Sequence, residues 1–443
     1  MKPSGFPSTA VTLEIGQDSH DTTLPSVGEI AVKNSTQSYN VSRASWLNNF
    51  NNNSNANANN RNVNNNSRVR GIAPAGTYPR DLWKELCGFR NLYRAYRKAR
   101  KHKTKKQYVL DFEQRLMSNI KMLRTELLLH SYNPKPLQMF ILRDPKIRKI
   151  NKSEFRDRIV HHALCNIIEP LFEKIFIYDS YANRKGKGTL NAIRRFDFFK
   201  KNVSQNNTQK VYVLKADVRH YFDEVNHAIL IKLIKKRIND PRIIWLINKI
   251  IKNYSNSGKS MPLGNLTSQF FANIYLNELD YFVKQILKAK YYIRYVDDFV
   301  ILDCSADKLS SFKERIAMYL QENLLLDLHP DKSRIITLNR GIDFLGLKIF
   351  TYHKLIKLRN IRTFKQKLGF LCKKYDAKEI KYDSIYDFFE GWIAYVKTAN
   401  TINMRARLMI PVAAKFNGDI SSKEINRHLK EVRNYKKPLP API

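Results

Sequence analysis

The spacing of hydrophobic positions changes period along the chain, and each change marks an element. From Asp81 the pattern is helical, with Leu82, Leu86, Phe89, Tyr93 and Tyr96 three or four residues apart. A second amphipathic helix is expected through Phe112, Leu116, Ile120, Leu123 and Leu127, stopped by Tyr132-Asn133-Pro134. Phe140 to Ile150 reads as a β-ribbon with a basic turn, and Ser153 is a candidate N-cap for the helix that follows. Val211 to Asp217 is of strand type and leads into a helix through Ile229, Ile231, Leu233 and Ile234. Phe271, Tyr275, Leu279, Phe282 and Ile286 mark the buried stripe of a long helix. Tyr291 to Leu302 holds two runs of β-branched and aromatic residues around Asp297 and Asp298, the pattern of a hairpin with both acids at its turn. A helix from about Ser310 to Leu324 follows. Beyond Lys357 the chain is helical and basic, with Phe389, Trp392 and Tyr395 on one stripe.

The first 70 residues follow none of these periods. Asn48 to Asn66 is mostly asparagine, which disfavours helix and strand alike, so this part is expected to be a disordered low-complexity segment.

Charge adds a partner to this outline. The chain has 443 residues, with 78 Lys+Arg against 39 Asp+Glu, a formal charge of +39. That excess points to a polyanion, and the run Arg97 to Lys106 is either a solvated face or a track for a phosphate backbone. No apolar run is long enough to span a bilayer, and no apolar segment follows Lys2, so a cytoplasmic protein without membrane partners is expected. Cys87, Cys165, Cys304 and Cys372 lack zinc-ligand spacing and read as reduced, buried thiols.

The acids carry the candidate chemistry. Two carboxylates on a tight turn repel each other unless a cation lies between them. Asp297 and Asp298 could be a solvated turn, but Asp217 ends another strand-type run. Three carboxylates on neighbouring strand ends can hold two magnesium ions together with nucleotide phosphates. That is the minimal site for nucleotidyl transfer by in-line displacement. Gly264 lets the backbone approach a ligand closely.

Tyr295-Val296-Asp297-Asp298 resembles the catalytic box of reverse transcriptases, and further boxes of that family occur in order. Phe140 to Ile150, Ser153 to Leu164 and Asp179 to Thr189 are similar to the fingers of bacterial, group II intron-like members. The resemblance implies Lys146 and Arg148 as contacts to the incoming triphosphate, with Arg184 and Lys187 nearer the template. It makes Asp217, Asp297 and Asp298 metal ligands, with the carbonyl of Val218 as a further oxygen. Phe222 aligns with the aromatic that packs under the sugar, or is a core residue at a strand–helix junction. Lys332, in Asp327 to Ser333, aligns with the residue that protonates departing pyrophosphate. Gly341 to Gly346 resembles the hairpin that grips the primer end. The box at Leu263-Gly264 reads Leu-Gly-x-x-x-Ser-Gln where most of the family has Gln-Gly-x-x-x-Ser-Pro. Leu263 thus replaces a polar residue that touches the nucleotide, a departure typical of diversity-generating retroelements, and discrimination at the base pair should loosen.

The implied fold is α+β: a right-hand polymerase with N-terminal helices and fingers (71–210), an antiparallel palm sheet backed by helices (211–350) and a basic helical thumb (351–443). The implied function is RNA-directed DNA polymerisation with two Mg2+ ions, an RNA template, a primer or cDNA strand and dNTPs. A retroelement usually adds a small helical accessory protein. Two other readings stay open, a phage-defence reverse transcriptase and an RNA-binding protein with a relic palm. Within the N-terminal segment, Ser45-Trp46, the asparagine runs and Ser67 to Gly71 resemble the end of a lectin-type variable protein. The segment is either a polar linker or template-repeat RNA read in frame. The second reading requires a near-copy of its codons in a neighbouring gene, differing where this copy has adenine.

Overall fold

The computed structural model describes residues 81–143, 147–426 and 429. The asparagine tract and Lys146 lie outside the described residues, as do the expectations attached to them. The N-terminal helices form where the period placed them, with two interruptions. The first helix, Leu82–Cys87, is capped by Asp81, whose carboxylate accepts from the Lys84 N–H (3.0 Å). Gly88 separates it from Phe89–Arg100, and Arg115 separates Gln107–Gln114 from Leu116–Leu128. Part of the basic run is therefore helix end, and Arg100 is bound to Glu113 (2.7 Å).

A two-stranded antiparallel ribbon follows in the expected stretch, β1 (Gln138–Leu142) and β2 (Arg148–Lys152). The next helix spans Phe155–Glu173, and its N-cap is Glu154, with no side-chain cap bond. Ser153 is not the cap, because its hydroxyl is spent on Asn265 Oδ1 (2.6 Å) in a buried contact.

The central sheet has four antiparallel strands: β3 (Tyr212–Asp217), β4 (Tyr291–Tyr295), β5 (Asp298–Asp303) and β6 (Arg334–Thr337), in the order β4-β5-β3-β6. Alternation along the strands divides two cores. Leu214, Ala216, Tyr292, Phe299 and Ile301 face the core that holds the helices Phe155–Glu173 and Leu266–Tyr281. Val213, Ile293, Val300 and Leu302 face the other, with Phe196, Phe344, Phe364 and Trp392. Tyr275 and Leu279 of the long helix are buried as expected, while Ile286 is exposed. The helix after β5 starts at Ala306, earlier than its hydrophobic period indicates, because Ser305 Oγ caps it through the Lys308 N–H (3.2 Å).

A second sheet joins β7 (Ile342–Phe344), β8 (Leu347–Ile349) and β9 (Lys354–Ile356). Because β9 pairs with β8, sheet structure continues past residue 350, and the helices Leu358–Asp376, Tyr382–Val396 and Ile402–Lys415 begin after it. Phe364 stacks on Trp392 with ring centroids 3.7 Å apart, and Tyr395 donates to the Gly346 carbonyl (2.9 Å), which ties these helices to the β7–β8 turn. Among the described residues no helix is long and apolar enough to cross a membrane. Cys87 and Cys165 are buried, but Cys304 is exposed and Cys372 half-buried, so the expectation of four buried thiols holds for two.

Candidate active site

Sheet register brings the acids together. Asp217, the last residue of β3, lies directly opposite Asp298, the first of β5, so the two side chains share a face. Asp297 occupies the two-residue turn between β4 and β5, and its carbonyl accepts from the Val218 N–H (3.2 Å). The other turn residue, Val296, has φ +58°. Such hairpin turns usually put glycine there, and a β-branched residue costs about 1–3 kcal/mol, so the surroundings must hold it.

The loop Asp327 to Ser333 wraps the end of β3. His329 N–H donates to the Asp217 carbonyl (2.7 Å), and Ser333 Oγ accepts from the Asp217 N–H (3.4 Å). Lys332 from this loop pairs with Asp217 Oδ1 (3.0 Å). Lys215, two residues before Asp217 on the same face, pairs with Asp298 Oδ1 (3.2 Å). Asp297 has no side-chain partner among the described residues. Burial raises its pKa, the neighbouring Asp217 raises it further, and Lys332 and Arg148 oppose the rise. Burial also pushes Asp298 up to about 6, against the pull of Lys215. Among the described residues no three potential ligand groups already converge on one point. The donors are nonetheless hard oxygens carrying uncompensated negative charge at Asp297, which suits a hard divalent cation.

The surrounding residues separate into those the fold brings to the acids and those it uses elsewhere. Arg148, at the start of β2, contributes charge to Asp297. The Tyr295 hydroxyl accepts from Thr189 Oγ1 (3.1 Å), and the ring packs against the second core. Phe222 is half-buried against Tyr221, and its carbonyl accepts from Met261 N–H (2.7 Å). The Leu263 carbonyl accepts from the Asn151 N–H of β2 (2.9 Å), and the Leu263 side chain is half-buried.

Gly264 has a further use within the protein. Its φ is +106°, and the ribbon lies close against it. A Cβ there would lie 2.6 Å from Ile150 Cγ2 and 3.5 Å from the Asn151 carbonyl oxygen. The glycine seats the ribbon on the loop. Gly264→Ala is expected to cost about 1–3 kcal/mol from backbone strain alone. Urea unfolding should show that loss, and Ile150→Ala in the same chain should recover the part due to the clash. No recovery would mean that the ribbon is not seated this way.

Arg184 is likewise committed. Its side chain is 6% exposed, paired with Glu173 (2.7 Å) and donating to the carbonyls of Ile177 and Ser180 (2.6 and 2.8 Å), so it staples the Asp179–Gly188 loop rather than meeting a template. Lys187 lies 3.3 Å from the Tyr178 ring centroid.

Residues 141–349 match the family model described as reverse transcriptase (RNA-dependent DNA polymerase). The chain carries a reverse transcriptase domain. It is 29% identical to Protein YkfC of Escherichia coli K12, covering 56% of this chain and 73% of that one. It is 23% identical to the group II intron-encoded protein LtrA of Lactococcus lactis, covering 49% of this chain and 47% of LtrA, so it spans about half of that relative. Among solved structures, a telomerase of Candida albicans in complex with a telomeric RNA fragment is 13% identical, with 68% of this chain and 58% of that chain covered and a TM-score of 0.42. The reverse transcriptase domain and its group II intron-encoded relatives are those the motifs implied.

Sequence reading missed two site residues. Lys215 looked like a strand residue, and only the register shows it pairing with Asp298. Arg294 is fully buried beneath the turn and bound to Asp280 (2.6 Å). Burial lowers its pKa, Asp280 more than compensates, and the guanidinium stays charged. A charged residue inside a run of aromatic and β-branched residues was the available signal.

Proposed function

We propose that the chain is an RNA-directed DNA polymerase that copies an RNA template into cDNA with Mg2+ and dNTPs. The observation that carries this reading is the register setting Asp217 opposite Asp298 with Asp297 at the adjoining turn, inside a reverse transcriptase domain. Asp217, Asp297, Asp298 and the Val218 carbonyl would hold two ions, which when bound polarise the primer hydroxyl and neutralise charge on the leaving pyrophosphate. The protein's own part is position and electrostatics. Arg148, with Lys146 beside it in sequence, is assigned to the triphosphate, Phe222 and Tyr295 to the nucleotide's sugar and base, and Lys332 to the proton that pyrophosphate takes up. Lys215 pairs with Asp298 and Lys332 with Asp217, so Asp297 offers a metal the least compensated charge. Residues 71–210 are assigned as N-terminal helices and fingers, 211–350 as palm and 351–443 as the basic helical thumb.

The decisive experiment is Mg2+-dependent primer extension on a primed RNA by the full chain. Incorporation of dNTPs is expected. RNA binding without incorporation would leave the relic reading and end the polymerase one.

We further assign the enzyme to an error-prone, diversity-generating role, supported by Leu263 where most of the family carries glutamine. A hydrophobic side chain gives the nucleotide no hydrogen bond to lose when mispaired, so discrimination is weak. Leu263→Gln is expected to lower misincorporation several-fold, most of all opposite template adenine. An unchanged error spectrum would remove this assignment while leaving polymerase activity in place.

A further inference from the structure

The acidic turn is held from behind by a group that the polymerase reading does not use. Arg294, two residues before Val296, is fully buried on the helix-covered face of the sheet. Its guanidinium donates to both oxygens of Asp280 (2.7 and 2.6 Å), to Asn273 Oδ1 (3.2 Å) and to the main-chain carbonyl of Val296 (3.0 Å). Asp280 is also fully buried and accepts from the Tyr292 hydroxyl (2.8 Å). Asn273 donates onward to the Ala182 carbonyl (2.9 Å). The main chain of Arg294 donates to the Asp179 carbonyl (3.0 Å) and accepts from the Tyr181 N–H (2.9 Å). One residue therefore joins the helix Leu266–Tyr281, the Asp179–Gly188 loop and the turn that carries Asp297.

A buried ion pair is a poor source of stability, because both charges lose their hydration, and apolar residues of similar volume often fill such a space as well or better. What an apolar pair cannot supply is a donor aimed at the Val296 carbonyl. That carbonyl belongs to the residue with the strained left-handed backbone, and Asp297 is the next residue. The guanidinium fork is rigid and planar, so the bidentate grip of Asp280 fixes the direction of the remaining N–H groups.

We propose that Arg294 is a positioning residue for nucleotidyl transfer: held by Asp280 and Asn273, it locks the Val296 carbonyl and so sets where Asp297 stands relative to Asp217. The inference rests on the polymerase reading only for what the turn is used for.

The test compares the wild-type chain with Arg294→Lys and with Tyr292→Phe/Asp280→Leu/Arg294→Met, which replaces the buried ion pair and the tyrosine hydroxyl bound to it by apolar side chains. Four quantities are read: the thermal unfolding midpoint, Mn2+ affinity by electron paramagnetic resonance, and kcat and KM for dNTP. A misplacement of about an ångström costs roughly a hundredfold in rate. The apolar variant is expected to melt near the wild-type temperature, bind Mn2+ about tenfold more weakly and lose roughly ten- to a hundredfold in kcat, with dNTP KM little changed. Arg294→Lys keeps the charge but not the fork, and should show the same loss of Mn2+ affinity. If the apolar variant folds and binds Mn2+ within about twofold of wild type, Arg294 is only a packing element and the proposal is overturned. If that variant does not fold, Arg294→Lys decides on the same criterion. Unfolding of both makes the cluster a folding element and also overturns it. A wild-type chain that binds Mn2+ but incorporates no nucleotide ends the polymerase reading and leaves the positional inference to stand on the Mn2+ data.

Discussion

Asp297→Asn and Asp217→Asn are each expected to abolish nucleotide incorporation in a chain that still folds. A carboxylate that holds a divalent ion supplies charge stabilisation of several kcal/mol in the transition state, and an amide carries no charge to replace it. At about 1.4 kcal/mol per factor of ten, the expected loss is about a thousandfold or more. Folding should survive for reasons particular to each residue. Asp297 has no side-chain partner among the described residues, and Asp217 repels it. Removing that repulsion should leave the melting temperature of Asp297→Asn at or above that of the wild type. Asp217 does lose an ion pair, but the Lys332 side chain is 43% exposed, and such pairs contribute about 0–1 kcal/mol. Single-turnover primer extension with Mg2+, beside thermal unfolding of the same preparations, measures both quantities. Near-native incorporation by either variant removes that residue from the site.

RNA affinity is expected to fall steeply with salt. Each phosphate neutralised by a lysine or arginine releases condensed counterions, and a protein making roughly six to ten such contacts loses about 10³–10⁵ in affinity between 50 and 200 mM salt. The formal charge of +39 makes contacts on that scale available. They are not spread evenly. In the run Arg97 to Lys106, Arg100 is bound to Glu113 and Lys98 is half-buried, whereas Lys101, Lys105 and Lys106 are exposed. On the helix Leu358–Asp376, Arg359, Arg362 and Lys365 are exposed at three-residue spacing, on one side of the helix. Arg359→Gln/Arg362→Gln/Lys365→Gln should lower the slope of log affinity against log salt by roughly two to three. Filter binding of a labelled RNA across the salt range measures the slope. A flat dependence in the wild type would reject the electrostatic reading, and an unchanged slope in the triple variant would move the contact away from this helix.

Local pattern accounts for much of the fold and for the acids themselves. Strand and helix periods are written in neighbouring residues, so the hairpin β4–β5, the strand ending at Asp217 and the long helix through Tyr275 and Leu279 were all legible. Asp217, Asp297 and Asp298 were legible because acids at the ends of strand-type runs have few structural uses. Boundaries were less legible. Ser153 has the right residue type and position for an N-cap, yet Asn265, 112 residues away in sequence, takes its hydroxyl. The sheet continues to Ile356 because β9 finds β8 as a partner, which no local period records.

By itself, then, the sequence determined the order of helices and strands, the basic character and the three acids, since each depends on residue type and short-range spacing. Tertiary structure alone decided which charges meet. Lys215 neutralises Asp298 because antiparallel register sets their strands side by side. Gly264 meets Ile150 because the loop docks on the ribbon. Arg184 closes a loop, and Arg294 reaches Asp280, Asn273 and Val296 beneath the turn, because packing brings distant segments within hydrogen-bond range. The physical reason is common to the three charged residues. A charged or polar side chain carries no period of its own, and its partner is fixed only when hydrophobic faces have packed and the remaining polar groups must be satisfied where they lie.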